Sequence, residues 1–188
     1  MHFRRLAALL LGAWLGGSVF MDMVATQNFR SVDRLLAAPP AQVAERIQAL
    51  GGHDAARVFL RYQVSEQNRW YFQTWERVQV ALGAVLFLVL LFGAVPNRVT
   101  LLITLLMLAM VLLMHFFLTP EITRLGRAAD FAPAADRTRF WTFHGMYSAG
   151  ELIKLGLGIV LAARLLRRAK KGQQVETGGA YQDQHAAR

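Results

Sequence analysis

Five residues of this chain carry reactive chemistry in an apolar setting. Asp22, Glu76, His115, His144 and Glu151 lie in or at the ends of long hydrophobic runs, where a charged side chain costs about 2.5 kcal/mol or more to insert near the middle of a bilayer. Carboxylates and imidazoles are ligands for a divalent metal and the groups from which proton relays are assembled. His115 and His144, if on adjacent helices, could also hold haem b from opposite sides of the ring. No HExxH or similar close spacing accompanies them, and the chain has no cysteine, which excludes disulfides, thiolate metal sites and haem attachment through CxxCH.

His144, Tyr147 and Glu151 follow i, i+3, i+7 spacing and Lys154 lies three residues further on, so all four share one helical stripe that should face other helices. Glu151 and Lys154 are expected to neutralise one another as a structural ion pair. A rise of about 1.5 Å per residue converts sequence distance from the cationic end of each helix into depth. On that count Asp22, Gln79 and His115 lie about 25 Å up, Glu76 and His144 about 30 Å, Glu151 about 20 Å and Lys154 about 15 Å. The polar groups collect in one half of the helices, and the other half is almost wholly Leu, Val, Ala, Ile and Gly.

The elements that must position them follow from hydropathy. With 55% hydrophobic residues among 188 and a mean hydropathy of +0.31, the composition is that of a membrane protein. Four spans are expected at about 6–28, 76–95, 98–118 and 140–166, within one membrane domain over 1–168. The first, preceded by Arg4 and Arg5, lacks good small residues for cleavage and reads as an uncleaved helix. Gly12 and Gly16, with Gly17 beside them, form a small-xxx-small pattern suited to helix packing.

Residues 29–75 carry charges of both signs and read as a small helical cap, with a helix from about Pro40 to Leu50 ended by Gly51. Val43, Ile47 and Leu50 share its face, and Val58 and Tyr62 continue the spacing. Trp70, Tyr71, Phe72 and Trp75 suit a membrane-interface belt. Thr119-Pro120 reads as the cap and first turn of a short helix running to Gly126. Residues 169–188 read as a disordered tail.

The formal charge of +9 is explained by topology: Arg4, Arg5, Arg98 and the cluster from Arg164 to Lys171 fall on one side, which the positive-inside rule makes cytoplasmic. Both termini are therefore expected inside, in a bacterial inner membrane, with the cap extracytoplasmic and no nucleic-acid partner. The fold expectation is all-α, an integral membrane four-helix bundle. There is no GxGxxG, GxxxxGK[ST] or GxSxG motif, so the functional expectation is a non-enzymatic accessory or scaffold subunit, in contact with lipid and with protein partners or copies of itself. The alternative is a transporter or a metal-, haem- or proton-handling protein using the outer polar cluster. No cofactor is the first expectation.

A first helix reading LLLGAWLGGSVFMDMVA, a polar segment after it and a last helix with HGMYSAGELIKLGLGIVL resemble the transmembrane-protein-205-like family over about residues 4–168. The resemblance implies a four-helix membrane protein without an established reaction, with a hint of metal or solute handling. It marks Gly16, Gly17, Phe20 and His144 as family positions.

Overall fold

The apolar periodicity folds into helices throughout. The computed structural model describes residues 2–93, 97–129 and 137–186, with side chains over 3–93, 97–128 and 137–166. Its elements are α1 (His2–Ala37), α2 (Ala41–Ala49), α3 (His53–Phe92), α4 (Arg98–Leu113), a π turn (Met114–Leu118), α5 (Thr119–Ala129) and α6 (Thr138–Ala186). Among the described residues there is no strand. Pro96 of the expected turn, the loop over 130–136, and the side chains of His2, Arg167, Arg168, Lys170, Lys171 and His185 lie outside the described residues.

Three helical stretches are long and apolar enough to cross a membrane: Phe3–Ala37, His53–Phe92 and Arg98–Ala128. α1 and α3 are 36 and 40 residues long, roughly 54–60 Å, about twice the hydrocarbon thickness of a bilayer. Half of each therefore belongs elsewhere, and the two continue side by side as the stalk of the small cap. α1 packs along α3, α3 along α4, and α4 along α6, which also meets α1. Asn97 starts α4 by accepting hydrogen bonds from the backbone N–H of Val99 (2.9 Å) and Thr100 (3.2 Å).

A dry layer joins the helices near the N-terminal end of α1: Ala7, Leu11 and Trp14 with Leu86, Met107, Val111, Leu161 and Leu165. Glycine makes the closest approaches possible. A Cβ on Gly83 would lie 2.8 Å from the Trp14 ring, and one on Gly158 would strike Leu15. Of the three glycines expected to pack, only Gly17 does so within the chain, against Trp75; Gly12 and Gly16 have nothing within 4 Å of a Cβ position. A second core, Val32, Leu36, Ile47 and Ala56, holds α2 against the stalk.

Several boundaries differ from the sequence expectation. α1 does not stop at residue 28, because the polar residues after it suit an amphipathic helix equally well. α2 ends at Gly51 and Gly52, whose φ angles of +97° and +90° only glycine adopts readily. Leu50 and Val58 stay exposed, while Leu60 and Val64 pack on the cap core instead. α5 begins at Thr119 with Pro120 in its first turn and runs past Gly126 to Ala129, but Thr119 is itself helical and does not act as a cap. α4 passes through the π turn directly into α5, and the wider i→i+5 turn accommodates a proline that lacks the N–H donor and crowds the preceding carbonyls. α6 continues to Ala186 where a disordered tail is expected from 169; the stretch after Leu166 is rich in Arg, Lys, Ala and Gln, good helix formers with no proline.

Candidate functional site

Among the described residues, Lys154 is the least exposed charged side chain. Its side chain is 0% exposed and its Nζ lies 2.5 Å from Oε1 of Glu151, one turn back on α6. The same Nζ donates to Oε1 of Gln79 on α3, and that oxygen also accepts the indole N–H of Trp14 on α1 at 2.8 Å. The expected Glu151–Lys154 pair thus forms, and it extends into a network across α1, α3 and α6. Gln79 Nε2 is buried without a hydrogen-bond partner among the described residues.

A second network stands beside it. Glu76, one turn before Gln79 on α3, is 1% exposed. Its Oε2 lies 2.9 Å from Nδ1 of His115 in the π turn, and its Oε1 accepts the hydroxyl of Thr119. The widened turn displaces the backbone between Leu113 and Thr119, and both His115 and Thr119 reach the same carboxylate.

Above these networks lies a cavity of about 480 Å³, bounded by α1, α3, α5 and α6. Asp22 and Phe29 line it from α1, Asn68 and Phe72 from α3, and His144, Tyr147, Ser148 and Glu151 from α6. The wall is mainly apolar, and Asp22 and Glu151 are the carboxylates in it. Phe72 and Tyr147 meet edge to face with centroids 6.0 Å apart. The Tyr147 hydroxyl is buried and faces the Glu76 carboxylate. Toward the stalk, Asn28 donates to Asn68 (2.7 Å), which donates to the carbonyl of Ala25 (3.2 Å) and ties α1 to α3.

The outer rim is braced by ions. Glu66, N-terminal of the uncharged run that begins at Val78, accepts two hydrogen bonds from Arg127 of α5 (2.8 and 2.9 Å) and one from Arg69 (2.5 Å). Those bonds, Arg127 foremost, hold its carboxyl at a pKa of about 2, well below the usual 4.5.

The five residues read as one metal cluster are therefore divided. Glu76 pairs with His115, Glu151 with Lys154, and Asp22 and His144 line the cavity; His144 stacks on Phe140 with centroids 5.7 Å apart. No group of three such residues among those described could hold a metal ion. His115 is hydrogen-bonded to Glu76, while His144 stacks on Phe140 at the cavity wall. The depth count errs for a related reason. Arg164 sits about 6 Å higher than Arg5, since Leu15 and Gly158 meet while their counts differ by that amount. Correcting it raises Lys154 toward Gln79 and Glu151 toward Asp22. Gln79, placed by depth with Asp22 and His115, and Tyr147, on the stripe with His144 and Glu151, both join the site; Trp14 and Thr119 complete it without having been singled out for it.

Comparison with family models, curated proteins and solved structures finds no match to this chain.

Proposed function

We propose that this is a multi-pass membrane protein, a four-helix bundle with α6 as its fourth span, whose outer-half cavity binds a small ligand without chemical conversion. One observation carries the reading: Glu151, a buried carboxylate in the wall of an open and largely apolar cavity, is joined through buried Lys154 to Gln79 of α3 and the Trp14 indole of α1. Binding sites in membranes combine an apolar wall with a few convergent polar groups. A bundle needing only to hold its shape avoids the desolvation that Glu151, Lys154 and Glu76 incur. Beneath the networks, the dry layer around Leu11, Leu86, Met107 and Leu161 interrupts any polar path, which favours a site reached from one side over an open channel. Arginine placement supports an orientation with both termini cytoplasmic and the cavity and cap outside, and a bacterial inner membrane is part of the proposal. The likeness of α1 and α6 to the transmembrane-protein-205-like family belongs to this proposal.

Native mass spectrometry of the full chain in mild detergent tests it. A bound small molecule that is lost when Ser148→Trp or Thr26→Trp fills the cavity is the expected result. Ligand-free masses for the wild type after gentle extraction, or retention of the same ligand by both filled variants, would overturn it.

A second reading, an accessory subunit or homo-oligomer, draws on one observation: the Gly12 and Gly16 positions are unused by the chain's own packing, and exposed Leu9, Val19 and Phe20 share that helix. A helix of another chain could approach there closely. A strictly monomeric chain that copurifies with no partner opposes that reading.

A further inference from the structure

Resting on the cavity reading above, we infer that the ligand is a monovalent organic cation with an apolar body, its charge taken by Asp22 and its body by the aromatic wall. The charges around the cavity are unequally partnered. Lys154, fully buried, is already committed to Glu151 and Gln79. Arg69 stands at the outer rim, where Glu66 holds it at 2.5 Å. Asp22 has no cation within 4 Å among the described residues, and its side chain lines the open space.

Of the charged residues that line the cavity, Asp22 and Glu151 are carboxylates and Arg69 is a cation; Lys154 neutralises Glu151 and Glu66 holds Arg69, which leaves the charge of Asp22 for the ligand. An anion entering beside Asp22 and Glu151 would meet carboxylates. A cation would complete the set.

The walls point to the same class. Phe29, Phe72, Phe140 and Tyr147 line the space, and aromatic faces attract alkylammonium and similar cations, more strongly where water is excluded. The buried Tyr147 hydroxyl, which faces the Glu76 carboxylate, adds an oxygen acceptor. The setting also suits an amphipathic ligand. α1 and α6 meet at Leu15 and Gly158, while farther out the cavity residues Asp22 and Thr26 of α1 and Ser148 and Leu152 of α6 frame the gap between them. A ligand partitioned into the outer leaflet reaches the carboxylate sideways, with its apolar part still in lipid.

The test uses two ions of the same shape and opposite charge, tetraphenylphosphonium and tetraphenylborate, in equilibrium dialysis against the full chain in non-ionic detergent. Saturable phosphonium binding, at least about tenfold tighter than borate binding, is expected. Asp22→Asn is expected to weaken phosphonium binding about tenfold or more, while Asp22→Glu retains it. Equal or preferred binding of the borate, no binding of either ion, or unchanged affinity in Asp22→Asn overturns the cation assignment. The two-ion comparison needs only the wild-type chain, so a variant that fails to fold leaves the inference falsifiable. A copurified ligand lost in the cavity-filled variants would still stand if the phosphonium failed, which separates the two claims.

Discussion

Replacing Lys154 with methionine keeps most of the side chain's length and removes its charge. Lys154 is fully buried, Glu151 has a side chain only 9% exposed, and Lys154 is the only cation within 4 Å of that carboxylate among the described residues. The substitution strands a carboxylate, and breaking a buried pair from one side costs about 3–5 kcal/mol. Gln79 keeps the Trp14 indole as a donor to its oxygen, so the loss is dominated by Glu151. Removing both partners, as Lys154→Met with Glu151→Leu, eliminates the stranded charge and should recover most of the loss, to within about 1 kcal/mol of wild type. Reversible unfolding in mixed micelles, followed by tryptophan fluorescence, measures all three proteins, since Trp14 reports directly on the network. A Lys154→Met cost below about 1 kcal/mol, or a double variant no more stable than the single one, would refute mutual neutralisation as the reason these charges tolerate burial.

Gly17→Val should destabilise the bundle by about 1–3 kcal/mol because its side chain would enter the space of the Trp75 ring, whereas Gly16→Ala should change intrachain stability by less than about 0.5 kcal/mol; equal effects in the same unfolding assay would contradict the helix rotation described. The Glu66 brace should weaken in acid. Its folded pKa is depressed, so the stabilisation is complete above its usual 4.5 and is lost as pH falls toward about 2. The full shift corresponds to about 3.4 kcal/mol, but Arg127 is 58% exposed, and screening reduces the expected contribution to about 1 kcal/mol. The stability difference between wild type and Glu66→Gln should therefore shrink between about pH 5 and pH 2, and a difference that stays constant over that range counts against the clamp.

Local pattern made part of the site legible. Glu151 and Lys154 are three residues apart on one helix, so their contact needs only helical geometry, and the sequence predicts it without knowing any neighbour. The same holds for α2, whose proline and glycine boundaries are written in adjacent residues. The lengths of α1 and α3 were harder to read because composition changes at residue 29 and again near 76 while the backbone does not. Polarity marks where a helix leaves an apolar environment, and that point need not be where the helix ends.

The remainder depends on how helices stand relative to one another, which no periodicity encodes. Glu76 meets His115 because a π turn ahead of Pro120 widens the backbone there; the sequence shows the proline but also permits the simpler reading of a new helix start. Lys154 meets Gln79 because α6 stands about 6 Å away from the level assigned by counting from its first inner arginine. The five residues expected at one level form no group of three that could hold a metal ion among the described residues. Similar depth is necessary for residues to converge but leaves their rotation about each helix axis undetermined, and a rotation of a single residue, 100°, decides whether a carboxylate meets a partner or a cavity. Asp22 illustrates the difference: it shares the level of Glu151 and lines the same cavity, yet it has no cation within 4 Å among the described residues, whereas Glu151 meets Lys154.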